Sequence, residues 1–419
     1  MSSTRVHLGL QARNTLWQRL DRAVAAHPEP LGSPTAVVDL DAFDANAADL
    51  VRRAGGTPIR VASKSLRVPA LIERALALPG FSGVLGFTLA EALHLVETGV
   101  SDDVVVAYPT VDRRALAALL TSPTALAAVT LMVDDVAHLD LIDAVRSSLD
   151  AVDADAARTP VRLCLDVDAG LHLGSGVVGP RRSPVRSASI AADLAAEIAT
   201  RPGFRLVGVM TYEGQVAGLA DARRDIRSVA IRGIKRASVR QLASRRREVL
   251  HSVLAATGLT SLEFFNAGGS GSLETSAGDP SVTEVTAGSG LLVPGIFDHY
   301  RSFAPRPAAF FGLPVTRRPA PDTVTVHGGG LIASGPTGAD RSPLPWAPPG
   351  LDLIGTEGAG EVQTPLVGSP ASSLQVGDLV WFRHAKSGEL FEHVRDVHLV
   401  TGDRIVETVP SYRGQGQAF

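Results

Sequence analysis

The chain has 419 residues, 40 basic and 43 acidic side chains, and a single cysteine, Cys164. A formal net charge of −3 gives no field to gather nucleic acid or anionic lipid, and a lone cysteine forms neither an internal disulfide nor a cysteine zinc cluster, which fits a reducing cytoplasm. At 45% hydrophobic and 20% charged residues the composition is globular, long enough for about two or three domains, and its 41 glycines and 27 prolines make turns and close backbone approaches frequent.

Residues 14–27 (NTLWQRLDRAVAAH) read as an amphipathic helix capped by Asn14, with Leu16, Leu20, Val24 and Ala25 on one face. Pro28, Pro30 and Pro34 then break the chain. Arg5, Arg13 and Arg19 stand too close together for the apolar core of a leader, and no apolar run of about 18 residues exists to cross a membrane. The expected location is therefore cytoplasmic.

Short Val- and Leu-rich runs follow at 36–40, 59–63, 83–88, 104–108, 129–134, 161–168, 206–211, 262–267 and 283–287. Helical stretches lie between them at 68–78, 89–98, 135–148, 187–201 and 236–257. Apolar runs alternating with helices indicate parallel strands covered on both faces. Eight of them can close a (β/α)₈ TIM-like barrel, with 36–40 left outside it; a doubly wound open sheet is the competing arrangement. After about residue 305 the helical period disappears, and turn-rich sequence alternates with strand-like runs at 323–327, 362–366, 378–383, 395–400 and 404–409. The expected organisation is an N-terminal helical extension over 1–34, a barrel over 35–305 and a mostly β C-terminal domain over 306–419. The segment 219–247 carries ten basic residues, Arg223, Arg224 and Arg246 among them, and reads as an inserted basic helical arm. A solvated face or subunit contact is the plain explanation, a site for an anionic partner the sharper one.

Lys64 stands in RVASKS, just after a strand, where the carboxyl ends of barrel strands face the active site; an amine in such an apolar mouth is a nucleophile, although a lysine at a strand end is also commonly a surface residue. FNAGGSGSLETS (265–276) and EVTAGSGLLVPG (284–295) place Gly268, Gly269, Ser270, Gly271, Gly288 and Ser289 after the last two strands. Such loops can close backbone N–H groups around a phosphate, or can simply be tight turns. In VDAGLHLG (167–174), His172 leaves a strand end and could meet a cofactor or serve as a loop donor. WFRHAKSGELFEH (381–393) offers His384, Lys386, Glu389, Glu392 and His393; the ammonium of Lys386, two residues from His384, speaks against a metal there. A metal hydrolase on a plain barrel would need a carboxylate and histidine cluster at the strand ends, which the sequence does not offer.

AVVDLDAF (36–43), RVASKS, VDAGLHLG, GVMTYEGQ (208–215), NAGGSGS (266–272), EVTAGSG and FRHAKSGEL occur in this order. Together they resemble the alanine-racemase-like, fold-type III pyridoxal phosphate enzymes, most nearly the branch of D-threonine aldolases and D-serine dehydratases, over about residues 30–415. The resemblance implies a barrel followed by a β domain, assembled as a homodimer, with Lys64 forming the internal aldimine with pyridoxal 5′-phosphate. It implies that Gly268, Gly269, Ser270, Gly271, Gly288 and Ser289 hold the phosphate, and that Tyr212 lies beside the ring. His172 stands about where racemases have an arginine facing the cofactor's phenol oxygen. Where the branch holds a divalent metal with His-x-Asp or His-x-Cys, this chain has His384-Ala385-Lys386. The expectation is that Lys386 supplies the metal's positive charge and that no metal is bound. Gln215 stands where aldolases have a histidine, leaving His384 as the candidate to take a β-hydroxyl proton. The implied function is a lyase of aldolase or dehydratase/deaminase type acting on a D-amino acid, one with a β-hydroxyl group. The alternatives are a racemase, with Tyr300 and Tyr412 as candidate opposite-face tyrosines by elimination, and a non-catalytic pyridoxal phosphate-binding protein.

Overall fold

The computed structural model describes residues 9–149, 154–174, 176–222, 225–301, 306–336 and 338–419. Arg5, Arg223, Arg224 and the junction at 305 lie outside the described residues. The chain forms two compact units. One takes Leu50–Lys64 and Ile72–Gly288; the other takes the described residues of Met1–Asp49 together with Ser65–Leu71 and Ser289–Ala418.

In the first unit, among the described residues, eight parallel strands close a barrel. In chain order they are Ile59–Ala62, Phe81–Gly86, Val104–Val106, Val129–Val133, Val161–Val167, Phe204–Thr211, Phe264–Ala267 and Glu284–Ala287. The ring closes where Val285 of the eighth strand pairs with Ile59 of the first. The closed barrel, not the open doubly wound sheet, is thus the architecture. β-branched residues dominate the fourth strand, buried along its whole length, as a strand covered on both faces requires. Val105, Met132, Cys164, Val207, Met210 and Phe264 form one apolar cluster shared by five strands. Gly208 is glycine because the Phe264 ring lies across it: a Cβ there would stand 2.3 Å from the ring.

In the second unit, among the described residues, nine strands form a sheet. Its spine is Ala309–Ala320, paired antiparallel with both Thr35–Asp39 and Leu379–Arg383. Thr35–Asp39 also runs parallel to Asp396–Thr401. The run at 36–40 therefore lies outside the barrel, as its sequence suggested, but is built into the sheet of C-terminal strands. This long-range pairing makes the spatial units discontinuous in sequence, unlike the continuous ranges 1–34, 35–305 and 306–419. The spine strand was illegible because Pro314 and Pro319 interrupt its pattern; register shifts beside Val315 and Arg317 accommodate them.

The N-terminal helix spans Leu10–Ala25, four residues earlier than expected, and Gly9 rather than Asn14 holds the cap position. Leu16, Leu20 and Ala23 are its buried face, packed with Val37, Phe310, Trp346 and Trp381, whereas Ala25 is exposed. The extra turn is fixed by Arg13, whose guanidinium lies 4.3 Å over the Trp346 ring while Nε donates to the Trp346 carbonyl at 2.9 Å. The basic segment becomes one helix, Ile226–Thr257, capped by Asp225 and ended by Gly258 in the left-handed region. Among the described residues, no helix is long and apolar enough to cross a membrane.

Candidate active site at the carboxyl end of the barrel

Lys64 follows the first strand in a short 3-10 turn, Ser63–Ser65, and its side chain is exposed. Its Nζ donates to the Tyr108 hydroxyl at 3.0 Å. Tyr108 follows the third strand by two residues and is half-buried. The Arg182 guanidinium lies 6.0 Å from the centre of the Tyr108 ring and 5.8 Å from that of Tyr212. Burial raises the Tyr108 phenol, but the charge and hydrogen bond of Lys64, with help from Arg182, outweigh it and leave the group below its ordinary value of 10. Burial, and then the neighbouring Glu213, push the Tyr212 phenol up to about 12 against the opposing charge of Arg182. Asp166, at the end of the fifth strand, is pushed up to about 7 by burial and then by Asp134, with Arg182 opposing.

The first, seventh and eighth strands are tied by a buried polar set. Arg60 donates bidentately to Glu284 at 2.8 and 2.9 Å, and Asn266 Nδ2 donates to Glu284 and to Thr286, each at 2.9 Å. Every charge in it is paired and hydrogen-bonded, as burial demands.

The glycine loop after the seventh strand is held from two sides. Arg53 donates from Nη2 to the Ser270 carbonyl at 2.7 Å and pairs with Glu274. On the other side, Ser272 Oγ accepts from the Gly269 N–H at 3.1 Å and donates to Glu213 at 2.8 Å; Ser276 donates to the same carboxylate oxygen. The second oxygen of Glu213 is bound by Arg246, which also reaches Thr211 at 2.9 Å and Asp279 at 3.2 Å. Arg246, Glu213 and Asp279 are all buried. Gly268 adopts φ +88°, and a Cβ at Gly269 would stand 3.3 Å from both Tyr212 and Ala217, so the backbone passes directly against the Tyr212 ring. The Gly288 N–H donates to Ser270 Oγ at 3.3 Å, joining the rims after the seventh and eighth strands. Ser289, next in the chain, shares a 2.9 Å hydrogen bond with Ser65 within the other unit.

His172 is not free to turn. Its Nε2 bonds Asp168 at 2.7 Å, its N–H donates to Gln241 at 2.9 Å, and Gln241 donates back to its carbonyl. The cation found over Tyr108 and Tyr212 is Arg182, not His172. Gln215 is buried and donates to the Ala169 carbonyl at 2.6 Å. Two arginines of the basic segment, Arg245 and Arg246, thus serve this end of the barrel and not a solvated face, since Arg245 donates to the carbonyls of Asp168 and Gly170.

In the other unit, His384 is buried, with Nε2 3.2 Å from Ser387 Oγ. Burial, and then the charge of Arg383, pull its ring down to about 3, so it is neutral and holds a proton weakly. Lys386 is exposed and donates to Ser334 Oγ at 3.1 Å, while the Ser334 N–H donates to Glu389 at 2.6 Å. Among the described residues, no three His, Cys, Asp or Glu side chains are gathered as a metal ligand set.

Sequence reasoning missed Tyr108, Arg182, Glu213 and Arg246. Tyr108 had the same signal as Lys64, a polar group just past a strand; Arg182 sits in a turn-rich loop with no local mark. The donor set fits a phosphorylated aldehyde: an exposed amine at one strand end, and a glycine loop of fixed shape with a serine hydroxyl at another.

The sequence profile of the alanine racemase N-terminal domain matches residues 38–291. No protein of curated function matches the chain in sequence. Among solved structures, a D-threonine aldolase from Filomicrobium marinum is similar at 21% identity and TM-score 0.73, covering 92% of this chain and 96% of that one. A D-threo-3-hydroxyaspartate dehydratase from Delftia sp. HT23 is similar at 20% identity and TM-score 0.68, covering 91% and 97%. An alanine racemase from Corynebacterium glutamicum is similar at 17% identity and TM-score 0.53, covering 83% and 88%. These likenesses establish the fold.

Proposed function

Because the chain belongs to the alanine racemase N-terminal domain family, a family of pyridoxal phosphate enzymes, we propose that it is a lyase acting on a D-β-hydroxy amino acid. The observation that carries the reading is Lys64, an exposed amine at the carboxyl end of the barrel, on the same barrel as a glycine loop pinned by Arg53 and Glu213. The aldolase and the dehydratase, whose names place them on D-amino acids, are similar at higher TM-score than the alanine racemase. Tyr300 and Tyr412, the candidates for a racemase's opposite-face acid, are both buried, which weighs against racemisation.

When bound, pyridoxal phosphate supplies an electron sink for the bond broken at Cα. Lys64 provides the amine that takes the aldehyde and, in its free form, a base for one face of Cα. The loop of Gly268, Gly269, Ser270 and Gly271 with Gly288 would hold the phosphate, the serine hydroxyl and the backbone N–H groups of Gly268, Ser270 and Gly271 as donors, while the Gly269 and Gly288 N–H groups, given to Ser272 and Ser270, fix the loop's shape. Tyr212, against Gly269, flanks the ring, and His172, tethered by Asp168, keeps the neighbouring loop in place. Lys386, in the other unit, would supply the positive charge that a metal ion supplies in the resembling branch. His384, neutral and weakly basic, orients the Lys386 segment through Ser387.

The test is a panel of D- and L-amino acids with the protein loaded with pyridoxal phosphate. An aldehyde product marks an aldolase, and a 2-oxo acid with ammonia marks a dehydratase. Inverted substrate alone overturns the lyase reading, and no turnover of any member leaves a binding protein. Elemental analysis of the purified protein is expected to show no stoichiometric metal; one zinc or manganese per chain would sink the role of Lys386. The homodimer is part of the same proposal and is read by light scattering.

A further inference from the structure

We propose that Tyr108 is the acid–base partner of Lys64, relaying the proton that must move when the lysine nitrogen bonds an aldehyde. This rests on the reading of Lys64 as the amine that takes pyridoxal phosphate. Three observations support it. The phenol oxygen is 3.0 Å from Nζ, within direct proton-transfer distance. The phenol is half-buried beside two cations, Lys64 and Arg182, with Asp166 the opposing charge and Tyr212 the neighbouring phenol. The other candidates for proton work are poorly suited: the His384 ring is drawn down to about 3, and Gln215 has no basic group.

The step balances as follows. Once the Lys64 ammonium has lost a proton to water, its nitrogen lone pair bonds the aldehyde carbon, and the carbonyl π pair moves to oxygen. The nitrogen sheds a proton to the Tyr108 oxygen, and the phenol passes a proton to the former carbonyl oxygen. The nitrogen lone pair then forms the carbon–nitrogen double bond as the carbon–oxygen bond breaks; the proton remaining on nitrogen passes through Tyr108 to the departing oxygen, which leaves as water. Nothing is oxidised or reduced, and Tyr108 ends as it began. Release of the amine runs the same relay backwards.

The experiment measures the rate at which pyridoxal phosphate is trapped on Lys64 by borohydride, across pH, in the parent and in Tyr108→Phe. The phenylalanine keeps the ring under Arg182 and removes only the hydroxyl. Trapping is expected to slow by about 100-fold with the same final amount bound, and to lose its dependence on the phenol's titration. A purely structural role would lower the amount bound and leave the pH profile in place. In parallel, the tyrosinate absorbance of the cofactor-free protein is followed against pH. With four tyrosines in the chain, one phase is expected before the rest, absent in Tyr108→Phe and moved to higher pH in Lys64→Ala. Equal trapping rates, or an early phase indifferent to Lys64, overturn the relay while the functional reading stands. If the parent traps no pyridoxal phosphate, the functional reading fails and the relay falls with it.

Discussion

Lys64→Ala is expected to abolish the absorbance at about 420 nm that pyridoxal phosphate gives when bound through a lysine, and with it the borohydride-stable label. Turnover should fall by about ten-thousand-fold or more, because a residue that bonds the cofactor has no substitute in its own site. Lys64→Arg should fail almost as completely: a guanidinium keeps its proton and offers no lone pair. The fold should be indifferent to both changes. The Lys64 side chain is exposed, and exposed substitutions usually alter stability by no more than about 0.5 kcal/mol. Urea unfolding of Lys64→Ala therefore separates lost chemistry from lost structure. A variant that keeps the label would move the reactive amine elsewhere on the chain.

The barrel was legible because its strands are covered on both faces and so read as Val- and Leu-rich runs, spaced by helices of ordinary length. Lys64 and the glycine loop were legible because a rule about strand ends converts a position in sequence into a position in space. What stayed hidden depends on contacts between distant residues. Thr35–Asp39 joins the C-terminal strands through Ala309–Ala320, and nothing local in either segment announces the pairing. Arg246 looked like one more charge in a basic run. Its burial follows from the helical turn that directs it at Glu213, 33 residues earlier, a property of tertiary packing. The depressed basicity of His384 is of the same kind, since it comes from burial and from Arg383 next to it.

Arg246→Ala is expected to be among the most destabilising single changes in the barrel unit. Its guanidinium satisfies Glu213, Asp279 and Thr211 at once, and both carboxylates are buried. Truncation leaves two buried anions without a counter-charge, a loss of about 3–5 kcal/mol in urea unfolding. Arg246→Lys should recover only part of it, because a single ammonium cannot spread three bonds over the same fork. The effect should also reach the phosphate loop. Glu213 holds Ser272 and Ser276, and Ser272 in turn receives the Gly269 N–H. A Glu213 without its Arg246 partner releases that chain, so affinity for pyridoxal phosphate should drop by about tenfold even under conditions where the variant is folded. Adding Glu213→Gln to Arg246→Met should restore some stability by removing one stranded charge. It should not restore cofactor affinity, because the amide cannot accept two serine hydroxyls as strongly as the carboxylate does. If Arg246→Met is as stable as the parent and binds cofactor equally well, the ion cluster is packing alone, and the loop takes its shape from Arg53 and its own glycines.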